Sequence, residues 1–233
     1  MKTLGIVGGL GPETGCNFCL SINNKLKKMT KTQPHIILDN LSISHDAEKK
    51  LINGGPSPEH FNLIKKSVKR LNELNADFIT IPCNTVHIFM NKLRRISKVP
   101  IISIIEETAK ECRKLNLKKA GLLASTKTVK EKLHSNELKK NGIEVILPNS
   151  RDQSFISESI LRIINNKITK KDEKRMLGVI KKLQKQGAEG IILGCTDLPL
   201  LISELDIPLP IINTTLILEN ASMNKLMGAG KWE

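Results

Sequence analysis

The feature that most constrains the fold is an internal repeat with a period of about 110 residues. Three segments of the first half recur in the same order in the second half: residues 2–7 match 119–124, residues 74–85 match 186–197, and residues 99–103 match 209–213. The second pair places a cysteine at the same point, Cys83 opposite Cys195. Three matches in one order indicate a duplicated structural unit.

Short apolar runs alternate with long amphipathic segments in both halves. Runs such as residues 4–7 and 120–124 are apolar throughout, which is typical of parallel strands buried on both faces. Segments such as residues 13–30 and 127–141 carry apolar residues at helical spacing. The sequence therefore predicts an α/β protein with two pseudo-symmetric domains, each a mostly parallel sheet flanked by helices.

The repeat also predicts the domain boundaries and the position of the active site. Residues 1–98 together with about 212–233 form the first predicted domain, and residues 99–211 form the second. Ligands of open α/β sheets bind beyond the carboxyl ends of the strands. Two sheets related by a pseudo-twofold axis can bring these ends to one cleft, so we expect the active site between the domains.

Cys83 and Cys195 each lie where a predicted strand ends and a helix begins. A helix N-terminus favours anions, so it can lower the pKa of a thiol and hold a carboxylate. Two thiols facing one cleft suit a symmetric reaction, in which a thiolate takes a proton from one face of a carbon and a thiol delivers one to the other. A disulfide, a metal site that includes His87, and a single nucleophilic cysteine are the alternatives.

Four motifs resemble those of the aspartate/glutamate racemase family. They are residues 8–12 (GGLGP), 82–85 (PCNT) followed by His87, 102–109 (ISIIEETA) and 194–197 (GCTD). The resemblance covers essentially the whole chain. It implies a cofactor-independent amino-acid racemase, which is an isomerase that uses neither PLP nor a metal. It also implies a homodimer and a small acidic amino acid, aspartate or glutamate, as the substrate.

The same resemblance implies roles for individual residues. Cys83 and Cys195 are the implied catalytic acid and base. The implied substrate-binding residues are Leu10, Asn84, Thr85, Thr126, Thr196 and Asp197. Aspartate-specific relatives carry an arginine after the second strand that grips the distal carboxylate, and here Ala47 stands where that arginine is sought. His45, Lys49 and Lys50 are the nearby residues that could replace it.

Three other functions are compatible with these residues. The glycine loop could bind a dinucleotide, with Asp39 at the end of the next strand on the ribose. A non-catalytic amino-acid-binding or regulatory relative would explain the missing arginine. A cysteine-dependent isomerase or decarboxylase of the same superfamily would use one of the two thiols.

Composition limits the partners. The formal net charge is +14, but the lysines recur at helical spacing along amphipathic segments, and the chain has no Tyr, one Trp and five Phe for stacking on bases. We therefore expect no nucleic-acid partner and some attraction of small anions. No apolar run approaches the roughly 18 residues of a membrane span, and the first residues are too short for a signal peptide. With an odd number of cysteines, five, these features predict a cytoplasmic protein without a membrane partner.

Overall fold

The computed structural model describes residues 1–11, 13–202 and 207–228, so Pro12 of the glycine loop lies outside the described residues. The strands are β1 (Thr3–Gly8), β2 (His35–Asn40), β3 (Phe78–Thr80), β4 (Ile101–Ile102), β5 (Lys119–Ala124), β6 (Glu144–Ile146), β7 (Gly190–Gly194) and β8 (Ile211–Asn213). The helices are α1 (Thr14–Thr30), α2 (His45–Ile52), α3 (Pro58–Glu73), α4 (Met90–Ile96), α5 (Ile104–Lys114), α6 (Thr126–Lys130), α7 (Leu133–Lys140), α8 (Ser150–Ile164), α9 (Lys170–Lys185) and α10 (Thr214–Met227).

The strands form two sheets of four, and every pairing between neighbouring strands is parallel. The first sheet has the order β2-β1-β3-β4 and the second has the order β6-β5-β7-β8. Each strand of the first sheet thus has a counterpart at the same place in the second, as expected for a duplicated unit. The predicted α/β class is confirmed. The first sheet extends past residue 98, the predicted boundary, because Ile101 pairs with Ile79.

The two sheets exchange one helix each. Helix α5 follows the last strand of the first sheet, yet Ala109 and Cys112 pack in the core of the second sheet with Ala120. Helix α10 follows the last strand of the second sheet, yet Leu218 packs with Leu4 in the core of the first. The chain therefore returns to its first half at its end, and α5 and α10 pack against each other between the sheets.

The structure defines three local features more closely than the sequence did. The helix predicted at 127–141 is two helices, because Lys132 adopts a left-handed backbone conformation with φ 53°. Strand β4 ends at Ile102, because the Ser103 side chain caps α5 by accepting from the Glu106 N–H. Ala47, where the arginine was sought, and its neighbours His45, Lys49 and Lys50 all lie on α2. Within the described ranges, no helix is both long and apolar enough to cross a bilayer.

Candidate active site between the two sheets

A cavity lies between the two halves, beyond the ends of β3 and β7, where Cys83 and Cys195 are placed. Its volume is about 30 Å³. It is lined by Leu10, Glu48, Leu51, Ile52, His60, Cys83, Asn84, Thr85, Ser125, Ile160, Ile164, Cys195, Thr196 and Asp197. Both cysteines therefore line one cavity, although they are 112 residues apart in the chain.

The turn that carries Cys83 is fixed by a buried histidine. The Cys83 N–H donates to Ile81 O over 2.8 Å, which turns the chain sharply at the end of β3. His87 Nδ1 donates to Cys83 O over 2.8 Å, and His87 Nε2 accepts from the Ile104 N–H over 3.1 Å. Burial lowers the pKa of His87 to about 4, so the ring is neutral at physiological pH. With both ring nitrogens bonded, His87 holds the turn in place and has no free atom for a metal ion.

Neutral hydroxyl groups lie around the turn that carries Cys83. Burial raises the pKa of its thiol to about 12, and the charges of Asp197 and Glu48 also raise it. The Val86 and Thr85 backbone N–H groups lower this pKa. Thr85 Oγ1 shares a 2.9 Å hydrogen bond with Ser125 Oγ and accepts from Thr128 Oγ1 over 3.1 Å. These three hydroxyl groups connect the turn after β3 to the start of α6, which follows β5.

Asn84 joins three parts of the chain. Its Nδ2 donates to Thr214 Oγ1 over 3.0 Å, and its Oδ1 accepts from His134 Nε2 over 2.9 Å. Thr214 in turn donates to Leu193 O over 2.8 Å. Burial lowers the pKa of His134 to about 3, so this ring is also neutral. Asn84 lines the cavity as predicted, but both polar ends of its side chain have protein partners.

Cys195 faces a carboxylate instead of hydroxyl groups. Its thiol donates to Asp197 Oδ2 over 3.6 Å, and Asp197 Oδ1 accepts from Thr14 Oγ1 over 2.8 Å. Burial raises the pKa of Cys195 well above its usual value, and the Asp197 charge adds to the effect. Burial also raises the pKa of Asp197, against the lowering effect of its bond to Thr14. At this end of the cavity, the Cys195 thiol is thus hydrogen-bonded to a group that can accept its proton, the Asp197 carboxylate.

The hydrogen bonds at the two ends follow one reciprocal pattern. The residue two positions after each cysteine, Thr85 or Asp197, bonds to the segment that follows the first central strand of the other half. Thr85 reaches the segment after β5, and Asp197 reaches the segment after β1. The duplicated backbone has therefore kept its geometry, while the chemistry of these two residues has diverged.

Of the three remaining predicted binding residues, two line the cavity and one does not. Leu10 and Thr196 line the cavity, and both are nearly inaccessible to solvent. Thr126 does not line it, because its hydroxyl shares a 2.7 Å bond with Ser157 while its neighbour Ser125 faces the cavity. The side chain that caps α6, Ser125, occupies the place predicted for Thr126.

Helix α2 presents an acid to the cavity where a base was sought. Glu48, Leu51 and Ile52 share one helical face, at spacings of three and four residues, and all three line the cavity. Lys49 and Lys50 are exposed and are absent from the lining residues, so neither lies where it could replace the missing arginine. The helical spacing could have identified Glu48 if residues 45–52 had been predicted as a helix.

His60 is a further lining residue that the sequence did not indicate. It lies on the buried face of α3, four residues before Ile64, and is 2% exposed. Its Nδ1 is buried and lacks a hydrogen-bond partner among the described residues. Burial lowers its pKa, so this nitrogen is a neutral polar group at the cavity wall. Its place on an otherwise apolar helical stripe is the signal that could have found it.

The glycine loop is explained by chain packing. Gly9 has φ 74°, and a Cβ there would lie 2.0 Å from Leu41 O. Gly15 lets α1 approach β1, because a Cβ there would lie 2.8 Å from Gly8 Cα. Asp39, the residue considered for a ribose, accepts two bonds from Arg70 over 3.0 and 2.6 Å. The two features that suggested a dinucleotide site therefore have other roles.

Potential metal-ligating side chains do not cluster anywhere among the described residues. In the ranges 1–11, 13–202 and 207–228, no group of three or more His, Cys, Asp or Glu side chains is placed to hold a metal ion. What the cavity offers is two thiols, one carboxylate next to a thiol, and backbone N–H groups at both strand ends. This set of groups is suited to proton transfer.

Comparison with known proteins gives consistent matches over the whole chain. A family model described as Asp/Glu/Hydantoin racemase matches residues 7–221. The broad specificity amino-acid racemase RacX of Bacillus subtilis is 25% identical over 234 residues, covering 95% of this chain and 96% of that protein. The structure of Picrophilus torridus aspartate racemase is 25% identical with a TM-score of 0.81, covering 97% of this chain and 94% of that one. A candidate Asp/Glu racemase structure from Yersinia pestis is 27% identical with a TM-score of 0.86, covering 98% of this chain and 100% of that one.

Proposed function

The chain belongs to the Asp/Glu/hydantoin racemase family, and we propose on this basis that it is a cofactor-independent amino-acid racemase that uses Cys83 and Cys195 as its acid and base. One observation carries the proposal: the two cysteines occupy equivalent strand ends and line the same cavity. A protein that only binds amino acids has no need for matched thiols. Relatives named amino-acid racemase and glutamate racemase belong to the isomerases.

The proposed reaction transfers protons at one carbon. A thiolate on one cysteine takes the Cα proton and becomes a thiol, which leaves an electron pair on Cα conjugated with the α-carboxylate. The thiol of the other cysteine gives its proton to the opposite face of Cα and becomes a thiolate. The product is the other enantiomer, and the protonation states of the two cysteines have been exchanged, so the enzyme is ready for the reverse reaction.

The surroundings of Cys195 provide a proton acceptor, Asp197, although its charge adds to burial in raising the pKa of the resting thiol. The thiols are neutral at physiological pH because burial raises the pKa of both. Asp197 is hydrogen-bonded to Cys195 and has a raised pKa, so its carboxylate can accept the thiol proton. On the other side, the Val86 and Thr85 backbone N–H groups stabilise a thiolate on Cys83.

Binding is proposed to involve a movement of the two halves. Leu10, Asn84 and Thr196, which line the cavity, are each less than 10% exposed, so we infer that the halves move apart for entry and come together for the reaction. Closure then removes water from the reacting carbon, which strengthens the interactions that stabilise the carbanion. The bonds that cross the cleft, from Thr14 to Asp197 and from Thr85 to Ser125, would form on closure.

The test is racemisation in deuterium oxide with a panel of L- and D-amino acids. With two bases, early D-product formed from an L-substrate carries deuterium at Cα while the remaining L-substrate keeps protium. Cys83→Ser and Cys195→Ser should each reduce racemisation by at least about a thousandfold, since each removes one of the two transferring groups. Cys16→Ser, at an exposed position of α1, is the matched control and should keep the activity of the unsubstituted protein.

Other outcomes would contradict the proposal. Wild-type racemisation by either cysteine variant would exclude the two-base reaction. Binding of an amino acid without exchange at Cα would identify a binding or regulatory protein instead. Release of carbon dioxide that depends on only one cysteine would identify a decarboxylase.

A further inference from the structure

We propose that this site takes an amino acid with a cationic side chain, and that Glu48 is the residue that pairs with its terminal ammonium or guanidinium group. The inference deepens the proposed racemase function and rests on it. The observation behind it is an acidic side chain in the cavity where the sequence had led us to expect a basic one.

The charge of the cavity does not suit a dicarboxylic substrate. None of the described residues that line it is a lysine or an arginine, and the ionisable acids in the lining are Glu48 and Asp197. The two acids influence each other, because the charge of Asp197 raises the pKa of Glu48 beyond the effect of burial. A second carboxylate on the substrate would add repulsion here, and a cation would relieve it.

The carboxylate of Glu48 is free to bind a ligand. Across the described part of the chain, no side chain forms a hydrogen bond or an ion pair with it, and the group that lowers its pKa is His45 at the start of α2. Other partly buried acids are paired, as Glu219 is with Lys25 and Asp152 is with Lys182. A partly buried carboxylate without a partner is costly unless something else pairs with it.

The cavity wall around Glu48 is apolar, which suits the aliphatic part of a basic side chain. Leu51 and Ile52 from α2 and Ile160 and Ile164 from α8 make this part of the cavity apolar. Lysine, ornithine and arginine carry three or four methylene groups between Cα and the nitrogen-containing end of the side chain. Such aliphatic chains pack well on apolar surfaces. His60, neutral and with Nδ1 buried and unbonded among the described residues, is a second polar group at the same wall.

The experiment compares L-lysine with L-norleucine, which has a side chain of the same length without the ammonium group. For the unsubstituted protein we expect kcat/KM for lysine to exceed that for norleucine by about tenfold or more, as for a charge-assisted hydrogen bond. Glu48→Gln, which is close to isosteric, should reduce the lysine-to-norleucine ratio by about tenfold or more. Asp46→Asn removes the same charge from an exposed position of the same helix, and should leave the ratio unchanged.

Binding gives a second measurement that does not depend on turnover. Calorimetry with the Cys83→Ser variant should show lysine or ornithine binding more tightly than aspartate or glutamate, and adding Glu48→Gln should reduce that preference. A preference for aspartate or glutamate, or a ratio unaffected by Glu48→Gln, would overturn the cationic-substrate inference while leaving the racemase proposal intact. The absence of Cα exchange with every amino acid of the panel would instead overturn the racemase proposal, and this inference with it.

Discussion

The Cys83 end and the Cys195 end of the cleft share one backbone arrangement and differ in their chemistry. At the Cys83 end, hydroxyl groups and two neutral imidazoles surround the turn. At the Cys195 end, a buried carboxylate accepts directly from the thiol. The comparison indicates that duplication fixed where the two thiols lie, and that later divergence gave one of them a proton acceptor and the other a rigid neutral support.

The largest expected difference between the ends is catalytic. Asp197→Asn keeps an acceptor for Thr14 but cannot take the proton of Cys195, so we expect kcat to fall by about a hundredfold or more. Thr128→Val removes a hydroxyl from the network at the Cys83 end and should reduce kcat by less than about tenfold. The measurement is the initial rate of racemisation at saturating substrate. Equal losses in the two variants would contradict the division of roles.

The second difference is in acid stability, because both buried imidazoles support the Cys83 end. The folded-state pKa values of His87 and His134, about 4 and about 3, lie below the ordinary value of 6.5. Between its folded-state pKa and pH 6.5, each histidine is protonated in the unfolded chain and neutral in the folded protein. The free energy of unfolding should therefore fall as pH falls from 6.5 towards 4, by about 1.4 kcal/mol per pH unit for each histidine.

Urea unfolding at a series of pH values would measure this slope. His134→Gln can still donate to Asn84 but cannot titrate, so its slope should be smaller by about 1.4 kcal/mol per pH unit. His45→Gln, at an exposed position, is the matched control and should keep the original slope. An unchanged slope in His134→Gln would show that this imidazole is not a source of the acid sensitivity.

The third difference is in the energy of the bonds that cross the cleft. Thr14→Val leaves the buried Asp197 carboxylate with the Cys195 thiol as its remaining side-chain donor among the described residues, so we expect a loss of about 2 kcal/mol in unfolding free energy. Thr128→Val removes bonds among neutral hydroxyl groups and should cost about 1 kcal/mol. Thermal and urea unfolding at neutral pH would compare them. A larger loss for Thr128→Val would reverse the ranking of the two ends.

The smallest expected difference is in thiol reactivity. The charge of Asp197 is the second cause, after burial, of the raised pKa of Cys195, whereas at Cys83 it ranks below both burial and the Val86 backbone N–H. Asp197→Asn should therefore increase alkylation of Cys195 by iodoacetamide severalfold relative to that of Cys83, since the thiolate is the reacting form. Mass spectrometry of the labelled peptides measures both sites in one sample, with exposed Cys16 as the internal reference. A larger increase at Cys83 would contradict the assignment.

The sequence predicted the parts of the site that depend on local pattern. Apolar strands and a repeated cysteine were sufficient to predict two sheets and to bring Cys83 and Cys195 to one cleft. It did not predict the contacts that depend on the packing of distant segments, such as the bond from Thr85 to Ser125, 40 residues away. Such contacts follow from how the halves meet, which no local spacing records.

Helix α2 shows a second reason why the site predicted from the sequence differs from the site in the structure. Its sequence has two lysines next to one glutamate, and charge alone favoured the lysines as the groups that meet the substrate. Which of them faces inward depends on the phase of the helix, and the phase places Glu48 with Leu51 and Ile52 on the buried side. A change of one position on a helix of this length reverses the expected charge of the substrate.

The exchange of α5 and α10 has a consequence for the order in which the protein can be built. The strands of the first sheet are synthesised early, but one of the helices that covers them, α10, is made only after the second sheet is complete. Part of the apolar surface of the first sheet therefore stays exposed, or bound by another molecule, until residues 214–227 have left the ribosome. A nascent chain stopped after β4 should therefore be prone to aggregation and to bind chaperones, and the first half would mature last.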